Sequence, residues 1–319
     1  MENQIKILDL LNQKQSKIVE LESLVYGSAE IREKDNKQYI YTHTRENGLQ
    51  FTKYIGEYSD ELYNLILNNN IKAKELKKQI KKIEKELKEL NYVDEELKVD
   101  IINNIDYARK HLAGTIYKQA ILEGVATTLS DTKNIIEGGK VNNMSSDDIL
   151  KIVNLKHAWE FILNKNVILS KTDYSILCMI NKLVEEGFYY NAGMIRNVPV
   201  NIGGTSWQPD IPIESDIKED INKIVDGSFS GIDKAIKLLL YIVKKQIFID
   251  GNKRTAVIFA NHYLISKGMG LIVIPVEKVE QYKKLLVEYY ETNDDKKIFE
   301  FIKKNCFFNI KTRAQEEAK

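Results

Sequence analysis

The sequence predicts a mostly α-helical fold, and three of its properties support that prediction. The 319 residues include only four prolines and sixteen glycines, so residues that interrupt helices are scarce. Through most of the chain, apolar residues recur three and four positions apart, which is the spacing of one helix face. Runs of aromatic and β-branched residues, which predict strands, are few and short.

The N-terminal part of the chain predicts one helix followed by a β-hairpin. Residues 2–24 are amphipathic with a helical period, so we expect a short helix there. Residues 38–44 and 49–55 are rich in aromatic and β-branched residues, as strands are. The segment Glu46-Asn47-Gly48 between them predicts a hairpin turn, so the two strands are expected to pair antiparallel.

A helix rich in Lys and Glu follows from Ser59. Its apolar residues alternate steps of four and three, which is a heptad seam, at Leu76, Ile80, Ile83, Leu87 and Leu90. The seam lasts only about two heptads, so we interpret it as one arm of an intramolecular helical hairpin rather than a long coiled coil. Residues 94–122 predict the second arm, which would pack antiparallel to the first.

The remainder of the chain predicts seven helices and one irregular segment. A polar loop over residues 137–148 contains Ser146, which we expect to be an N-cap. Residues 189–212 carry glycines, three of the four prolines and β-branched residues, and residues 194–204 predict a small hairpin. The predicted helices cover residues 147–164, 171–187, 216–226, 231–247, 252–267, 277–291 and 295–307.

Composition narrows the class of function. Lys and Arg number 47 against 46 Asp and Glu, so the overall charge does not indicate non-specific nucleic-acid binding. The two cysteines, Cys178 and Cys306, form no Cys-x-x-Cys pair, which excludes a cysteine zinc site and favours a reducing compartment. No signal-peptide pattern opens the sequence, and no stretch approaches a membrane span, so we expect a cytoplasmic protein.

The segment between the helices at 231–247 and 252–267 carries the chemistry. Residues after Gly251 open the second helix, and the free N–H groups and dipole at a helix start attract anions. Lys253 and Arg254 add positive charge, and Asp250 adds an oxygen ligand of the kind Mg²⁺ takes beside phosphates. A plain turn with solvated charges is an equally weighted alternative, although cations at a helix start favour an anionic partner.

This segment, from Gln246 to Arg254, resembles the signature of the Fic family, His-Pro-Phe-x-(Asp/Glu)-Gly-Asn-(Gly/Lys)-Arg. The matching residues are Phe248, Asp250, Gly251, Asn252, Lys253 and Arg254. Upstream, the Gly193-Met-Ile-Arg196 start and the Ile202-Gly203-Gly204 turn resemble the family's flap hairpin. The resemblance predicts a Fic/Fido domain over residues 113–310, preceded by an N-terminal region over 1–112 and followed by a disordered tail at 311–319.

The resemblance implies a Fic/Fido helical core with a small β-hairpin flap, and a protein adenylyltransferase that moves AMP from ATP to a Ser, Thr or Tyr hydroxyl. In that family the Asp, here Asp250, binds Mg²⁺. The flap, here with Ile202 and Gly203, aligns the target protein by strand addition. The residues expected to hold the phosphates of ATP or another nucleotide are Gly251, Asn252, Lys253 and Arg254.

Two positions depart from the family pattern. Gln246 stands where the family has its catalytic His, and an amide cannot accept a proton near neutral pH. A positioned general base contributes roughly 10²–10⁴-fold to rate, so transfer is expected to be slow or altered. The family's second Arg is replaced by Val257. The four histidines are interpreted as surface or core residues rather than as a substitute base, and they are His43, His111, His157 and His262.

A third family feature is a regulatory glutamate. Gln119-Ala-Ile-Leu-Glu123-Gly124 resembles the inhibitory helix (Ser/Thr)-x-x-x-Glu-(Gly/Asn), with Gln119 at the Ser/Thr position. The resemblance implies that Glu123 reaches the nucleotide site, where Arg254 would be its partner. The alternative is that Gly124 is simply a helix C-cap.

Three functions therefore compete. The first is a Fic-type transferase with an altered base, and the second is a nucleotide-binding module that acts through the N-terminal region. The third is a bacterial regulatory protein whose Fic core is vestigial. The partners expected are a nucleotide and an unidentified protein target, and a second copy of the chain is left open. Membranes are excluded, and nucleic acid is not favoured.

Overall fold

A computed structural model describes the chain except for seven short segments. The described residues are 2–34, 37–46, 49–90, 92, 97–142 and 144–310. The chain divides into two compact units, residues 9–93 and residues 1–8 with 94–319. The expected domain boundary after residue 112 stays a prediction, and the expected disordered tail lies outside the described residues.

The N-terminal helix α1, Glu2–Ser23, precedes a three-stranded antiparallel sheet. Its strands are β1 (Ser28–Lys34), β2 (Lys37–Glu46) and β3 (Leu49–Glu57), in the order β1-β2-β3. The predicted pairing of β2 with β3 is confirmed, whereas the turn residues Asn47 and Gly48 lie outside the described residues. Strand β1 was not predicted, because Ser-Ala-Glu-Ile-Arg-Glu-Lys lacks the alternating apolar residues of a half-buried strand.

Helix α2, Asp60–Glu89, is the long helix that the heptad pattern predicted. The Ser59 side chain accepts a hydrogen bond from the Leu62 N–H at 3.1 Å, as an N-cap does. The buried residues of α2 are Ile66, Ala73, Leu76, Ile83 and Leu87. They form one apolar stripe along the helix, and the Lys and Glu residues lie on its other faces. The antiparallel pairing of α2 with the next helix stays a prediction.

The second unit is almost entirely helical. Its helices are α3 (Val99–Lys110), α4 (Leu112–Leu122), α5 (Leu129–Ile136), α6 (Ser146–Ile162), α7 (Lys165–Ile168), α8 (Tyr174–Val184), α9 (Glu214–Asp226), α10 (Gly231–Lys245), α11 (Asn252–Ser266), α12 (Val279–Thr292) and α13 (Lys296–Asn305). Two short strands, β4 (Leu271–Ile272) and β5 (Phe307–Phe308), pair antiparallel. Within the described ranges, no helix has both the length and the apolar character that crossing a membrane requires.

Helix α11 lies at the centre of this unit. It packs against α10, α8, α6 and α3, and all but Lys253 and Ser266 of its residues are buried. Helix α10 is amphipathic and buries one face, including Ile236 and Leu239. The mostly α fold, with these two helices central, is therefore confirmed. The polar join between them lies at the edge of the hydrophobic core.

Three further details of the sequence prediction were wrong. The single helix expected over residues 94–122 is two helices, α3 and α4, which divide at His111. The N-cap of α6 is Ser145, whose side chain accepts from the Asp148 N–H at 3.1 Å, and Ser146 is the first helical residue. The flap segment 194–204 forms no strands. Pro199 has no N–H to donate to a partner strand. The carbonyl of Val198, which a hairpin would pair across strands, accepts instead from the guanidinium of Arg196.

Candidate functional site

The join between α10 and α11 turns on two residues with left-handed backbone conformations. Gln246 ends α10 with φ 46°, and Gly251 precedes α11 with φ 74°. Such values are strained for most residues and easy for glycine. The intervening Ile247 and Phe248 are fully buried, which anchors the loop in the hydrophobic core. The loop is therefore a rigid element that presents Asp250 and the start of α11.

Two asparagines brace this loop. The Asn252 side chain accepts from the Phe248 N–H at 3.0 Å and donates to the Phe248 carbonyl at 2.8 Å. Asn181, on α8, donates to the Asp250 carbonyl at 3.0 Å and accepts from the Gly193 N–H at 2.9 Å. The phosphate contact expected of Asn252 stays a prediction, because in this structure its amide holds the loop. The bracing role of Asn181 was not predicted from the sequence.

Arg196 ties the flap to the motif. The side chain is buried and donates to five backbone carbonyls, those of Val198, Pro209, Asp210, Lys245 and Gln246. Two of these carbonyls end α10, where a cation is favourable for the helix dipole. The Arg196 N–H also donates to the Ile247 carbonyl at 3.0 Å. Arg196 therefore fixes the flap segment against the end of α10.

Arg254 lies in the first turn of α11, and its guanidinium is surrounded by carboxylates. The Nη2 atom lies 2.8 Å from Glu185 Oε1 and 3.5 Å from Asp250 Oδ2, and Nε lies 3.7 Å from Glu123 Oε2. Only 4% of the residue is exposed. Among the described residues, Arg254 Nε and Nη1 have no hydrogen-bond partner, and neither has Glu185 Oε1, so the 2.8 Å contact is an ion pair without hydrogen-bond geometry. The structure thus brings together Arg254, Asp250 and Glu123, which the sequence analysis named, and adds Glu185, while the roles expected of them stay predictions.

Glu185 is the buried acid of this cluster. It caps the C-terminus of α8, and its side chain is 3% exposed. Burial raises its pKa to about 7, with Asp250 and Glu123 contributing in the same direction, although Arg254 opposes the shift. The carboxylate also lies against the motif loop, since a Cβ on Gly251 would come 2.3 Å from Glu185 Oε1. Glu185 was missed because Glu185-Glu186-Gly187 reads locally as an exposed helix end.

Glu123 caps the C-terminus of α4 and faces the same arginine. Its Oε1 lies 3.6 Å from Lys253 Nζ and, like two atoms of Arg254, is buried without a hydrogen-bond partner in the described part of the chain. On the same helix, Gln119 donates to the Arg254 carbonyl at 2.9 Å and accepts from Trp159 Nε1 at 3.0 Å. Helix α4 is therefore attached directly to α11, and Glu123 is positioned over the candidate site.

A second Glu-Gly pair at a helix end shows that helix capping does not explain the direction of the Glu123 side chain. Glu137 caps α5 and is followed by Gly138 with φ 79°, close to the 80° of Gly124. Both glycines provide the left-handed residue that commonly ends a helix. The Glu137 side chain is exposed, whereas Glu123 points at Arg254. The backbone explains the glycine in both pairs, but not the direction of the Glu123 carboxylate.

Asp250 is the accessible carboxylate of the cluster. Its side chain is 55% exposed, and Oδ1 accepts from the Gly251 N–H at 2.6 Å. One accessible carboxylate suits Mg²⁺, which retains waters and binds substrate phosphates rather than filling an all-protein cage. The described residues contain no group of three or more His, Cys, Asp or Glu that could hold a metal ion.

Gln246 occupies the position where a base would be expected. Its side-chain amide donates to the Val243 carbonyl at 2.7 Å, and its own carbonyl accepts from Arg196 Nε. The side chain therefore caps the end of its own helix. An amide in that arrangement can orient a neighbouring group, but it cannot take a proton.

The four histidines lie in different parts of the chain. His262 is buried between Thr172 Oγ1 at 2.8 Å and the Val167 carbonyl at 3.0 Å. Burial lowers its pKa to about 4, so it is neutral at pH 7. His111 and His157 are exposed. The fourth, His43, belongs to the N-terminal unit and lies 2.7 Å from Glu30.

The flap residues lie in an irregular loop with an exposed turn. Ile202 is half-buried, and Gly203 is exposed with no atom within 4 Å of the Cβ it lacks. The chain after the turn is fixed by Trp207, whose ring stacks on Tyr290 with centroids 5.6 Å apart, and Lys244 lies 4.1 Å from the Trp207 ring centroid. The flap is thus packed against the domain at Trp207 and exposed to solvent at Gly203.

Comparison with known proteins agrees with this architecture. Residues 171–264, which contain both flap and motif, match the sequence model of the Fic/DOC family. Over 175 residues the chain is 27% identical to the protein adenylyltransferase Fic-1 of Caenorhabditis elegans. That alignment covers 52% of this chain but only 34% of the relative. It therefore leaves most of the relative unmatched.

Solved structures show the same fold. A fragment of Fic-1 from C. elegans has a TM-score of 0.52 at 18% identity, over 76% of this chain and 79% of the fragment. A single-residue variant of that fragment gives 0.54 at 18% identity, over 81% and 78%. The chain carries a Fic domain that includes residues 171–264, as its motif residues indicated.

Proposed function

We propose that this chain binds a nucleotide at the start of α11 and slowly transfers AMP from ATP to a protein hydroxyl. The observation that carries the proposal is Arg254, which is 4% exposed and whose Nε and Nη1 have no hydrogen-bond partner among the described residues. A buried donor without a partner costs about 1–3 kcal/mol. Phosphate oxygens are strong acceptors for a guanidinium and would remove that cost.

The surroundings of Arg254 support an anionic ligand. The first N–H groups of α11 have no carbonyl partner within the helix, and the positive end of the helix dipole lies there. Lys253 adds a second positive charge, and its side chain is 37% exposed. Glu123 lies close to both cations, so a phosphate at this site would take its place. Gly251, Asn252, Lys253 and Arg254 are the residues we assign to nucleotide binding.

Asp250 is the residue we assign to Mg²⁺. Its accessible carboxylate and its position beside the start of α11 support that assignment. Bound there with the nucleotide, Mg²⁺ would neutralise phosphate charge. Asp250→Ala is expected to remove only the magnesium-dependent part of the nucleotide affinity, which calorimetry with and without Mg²⁺ would measure.

The flap supports a protein as the acceptor. The exposed turn at Gly203 offers main-chain groups to an incoming segment of polypeptide, in the manner of strand addition. Ile202 beside it would contact a side chain of that segment. The related C. elegans protein carries the name of a protein adenylyltransferase. We therefore propose a protein target with a free hydroxyl, held by Ile202 and Gly203.

Gln246 supports slow transfer, and it equally supports a second candidate function. Its amide is engaged with the Val243 carbonyl and cannot accept the proton of a hydroxyl. Without another base, rate enhancement would come only from positioning and charge, and the site could serve as a nucleotide-binding module. That module would act on a partner through the N-terminal unit.

The experiment that separates the two functions is AMP transfer from labelled ATP with Mg²⁺, in cell lysate and on the chain itself. If only the base is missing, Gln246→His should raise transfer by up to about 10²–10⁴-fold, because imidazole titrates near pH 7. Histidine also tolerates the left-handed conformation of position 246 better than most residues. Mass spectrometry for AMP adducts gives the readout.

A matched control is Gln246→Asn, which keeps the amide and tolerates the same backbone. It should transfer no faster than the parent. If Gln246→His binds nucleotide and still transfers nothing, the binding-module function is the correct one. Efficient transfer by the parent that survives Gln246→Ala would show that neither account of this position is right.

A further inference from the structure

Glu185 and Arg254 are each placed where the helix dipoles oppose them. Glu185 is an acid at the C-terminal end of α8, and Arg254 is a cation in the first turn of α11. Each charge is unfavourable for its own helix. Each is also buried, which is costly for an unpaired charge. The two helix ends meet at this point, so the pair is stabilised by mutual contact and not by its helices.

The contacts of Arg254 divide into one close and several loose ones. Glu185 Oε1 lies 2.8 Å from Nη2 on a side chain that is 3% exposed. Glu123 lies 3.7 Å from Nε, and its side chain is 13% exposed. The Glu185 carboxylate is further enclosed by the motif loop, since Gly251 leaves no room between them. Glu123 can leave toward solvent, whereas Glu185 is enclosed.

We propose that Glu185 is a positioning residue: it holds Arg254 by Nη2 and so presents Nε and Nη1 to an incoming phosphate. A phosphate would replace Glu123 beside Nε and leave the Glu185 contact in place. This inference rests on the proposed nucleotide site and names what aligns its arginine. The two unpartnered atoms of Arg254 are the ones this arrangement leaves available.

The alternative is competition, in which Glu185 withholds Arg254 from the ligand as Glu123 does. The two ideas predict opposite effects of removing the acid. A positioning residue, once removed, lets the arginine take several orientations, and the ligand then bears the cost of ordering it. A competitor, once removed, frees the arginine and tightens binding.

Three substitutions of Glu185 separate the effect of side-chain length from the effect of charge. Glu185→Gln keeps the length of the side chain and an oxygen at its end but removes the charge. Glu185→Asp keeps the charge but withdraws the carboxylate by about one carbon–carbon bond, and Glu185→Ala removes both. All are made in the full chain carrying Glu123→Gly, and ADP with Mg²⁺ is titrated at pH 8, where Glu185 is ionised.

Positioning predicts that Glu185→Asp and Glu185→Ala weaken ADP binding about tenfold or more. Glu185→Gln should stay within about threefold of its parent, because rescue by the variant of equal length is the mark of an orienting contact. Tighter binding by Glu185→Ala or Glu185→Gln would overturn the proposal in favour of competition. A Glu185→Asp variant that binds ADP as tightly as its parent would also overturn the proposal. If Glu185→Ala does not fold, Glu185→Asp carries the test.

A second readout does not depend on nucleotide. The Nε–H signal of Arg254 in nitrogen-15 spectra, assigned by its loss in Arg254→Lys, should be sharp and slow to exchange in the parent and in Glu185→Gln. It should broaden or exchange faster in the Asp and Ala variants, and an unchanged signal in both would overturn the proposal. If the parent binds no ADP, the proposed nucleotide function fails, and this signal still decides the role of Glu185.

Discussion

Two arginines of this chain are almost equally buried and serve different purposes. Arg196 donates to five backbone carbonyls, two at the end of α10 and three in the flap segment. Arg254 lies against carboxylates, and two of its three nitrogen groups have no hydrogen-bond partner in the described part of the chain. Burial alone therefore does not tell a structural arginine from a ligand-binding one.

The difference lies in what each guanidinium contacts. Neutral carbonyls that point at Arg196 from several segments satisfy its donors permanently, and no ligand can add to them. The carboxylates around Arg254 neutralise its charge, yet Nε and Nη1 have no hydrogen-bond partner among the described residues, which is what the proposed anion site requires. A satisfied buried arginine indicates structure, and an incompletely satisfied one indicates a site.

The largest expected effect is on folding. Arg196→Ala would leave buried carbonyls without donors and detach the flap segment from α10, so we expect the free energy of unfolding to fall by about 3–5 kcal/mol. Chemical denaturation measures the change. Arg109→Ala is the matched control, since the Arg109 side chain is exposed and donates to the Leu163 carbonyl. Arg109→Ala should lower the free energy of unfolding by about 1 kcal/mol. An equal loss in both variants would show that Arg196 has no special structural role.

The next effect is a pH dependence that the Arg254 cluster has and the surroundings of Arg196 lack. The pKa of Glu185 rises from 4.5 to about 7 on folding, so between these values the folded chain retains a proton that the unfolded chain has lost. This retained proton on Glu185 stabilises the folded chain fully below pH 4.5. As the pH rises to 7 the stabilisation is lost, and the free energy of unfolding falls by up to about 3 kcal/mol.

Denaturant unfolding of the parent and of Glu185→Gln between pH 5 and pH 8 tests this expectation. The difference in stability between the two should change across that range, whereas Arg196→Ala should run parallel to the parent because carbonyls do not titrate. If the stability of Glu185→Gln changed with pH in the same way as that of the parent, Glu185 would not be a buried ionisable group.

A smaller effect concerns Glu123. Glu123→Gly removes a carboxylate from 3.7 Å of Arg254 and 3.6 Å of Lys253, so ADP should bind about tenfold more tightly, a gain of about 1.4 kcal/mol. Glu137→Gly is the matched control, because Glu137 precedes a glycine at a helix end in the same way and its side chain is exposed. If both variants bind ADP like the parent, Glu123 does not restrain the site.

Much of the fold and the motif could be predicted from the sequence, because both depend on local patterns of residues. The apolar runs on either side of Asp250-Gly251-Asn252 predicted two buried helices with a polar bend, and the matching motif residues predicted the family. The aromatic and β-branched residues of strands β2 and β3 and the change to a helical period after Ser59 were also local signals. Each depends on residues within a few positions of one another.

The parts that sequence missed depend on distant contacts. Glu185 meets Arg254 across 69 positions, the separation that also divides Asn181 from Asp250. Nothing in the local sequence of Glu185 distinguishes it from Glu186 beside it. The flap was predicted as a hairpin because its residues suit strands, but the Arg196 side chain takes the Val198, Pro209 and Asp210 carbonyls and holds an irregular loop.

The central claim is that Arg254 is the anion-binding group of this Fic domain. ADP calorimetry with Mg²⁺ on the Glu123→Gly chain, with and without Arg254→Ala, tests it most directly. We expect Arg254→Ala to weaken binding by about 1.5–3 kcal/mol, the scale of a charge-assisted hydrogen bond. Lys253→Ala, at a more exposed cation, should cost less than about 1 kcal/mol. Equal ADP affinity with and without Arg254 would contradict the claim.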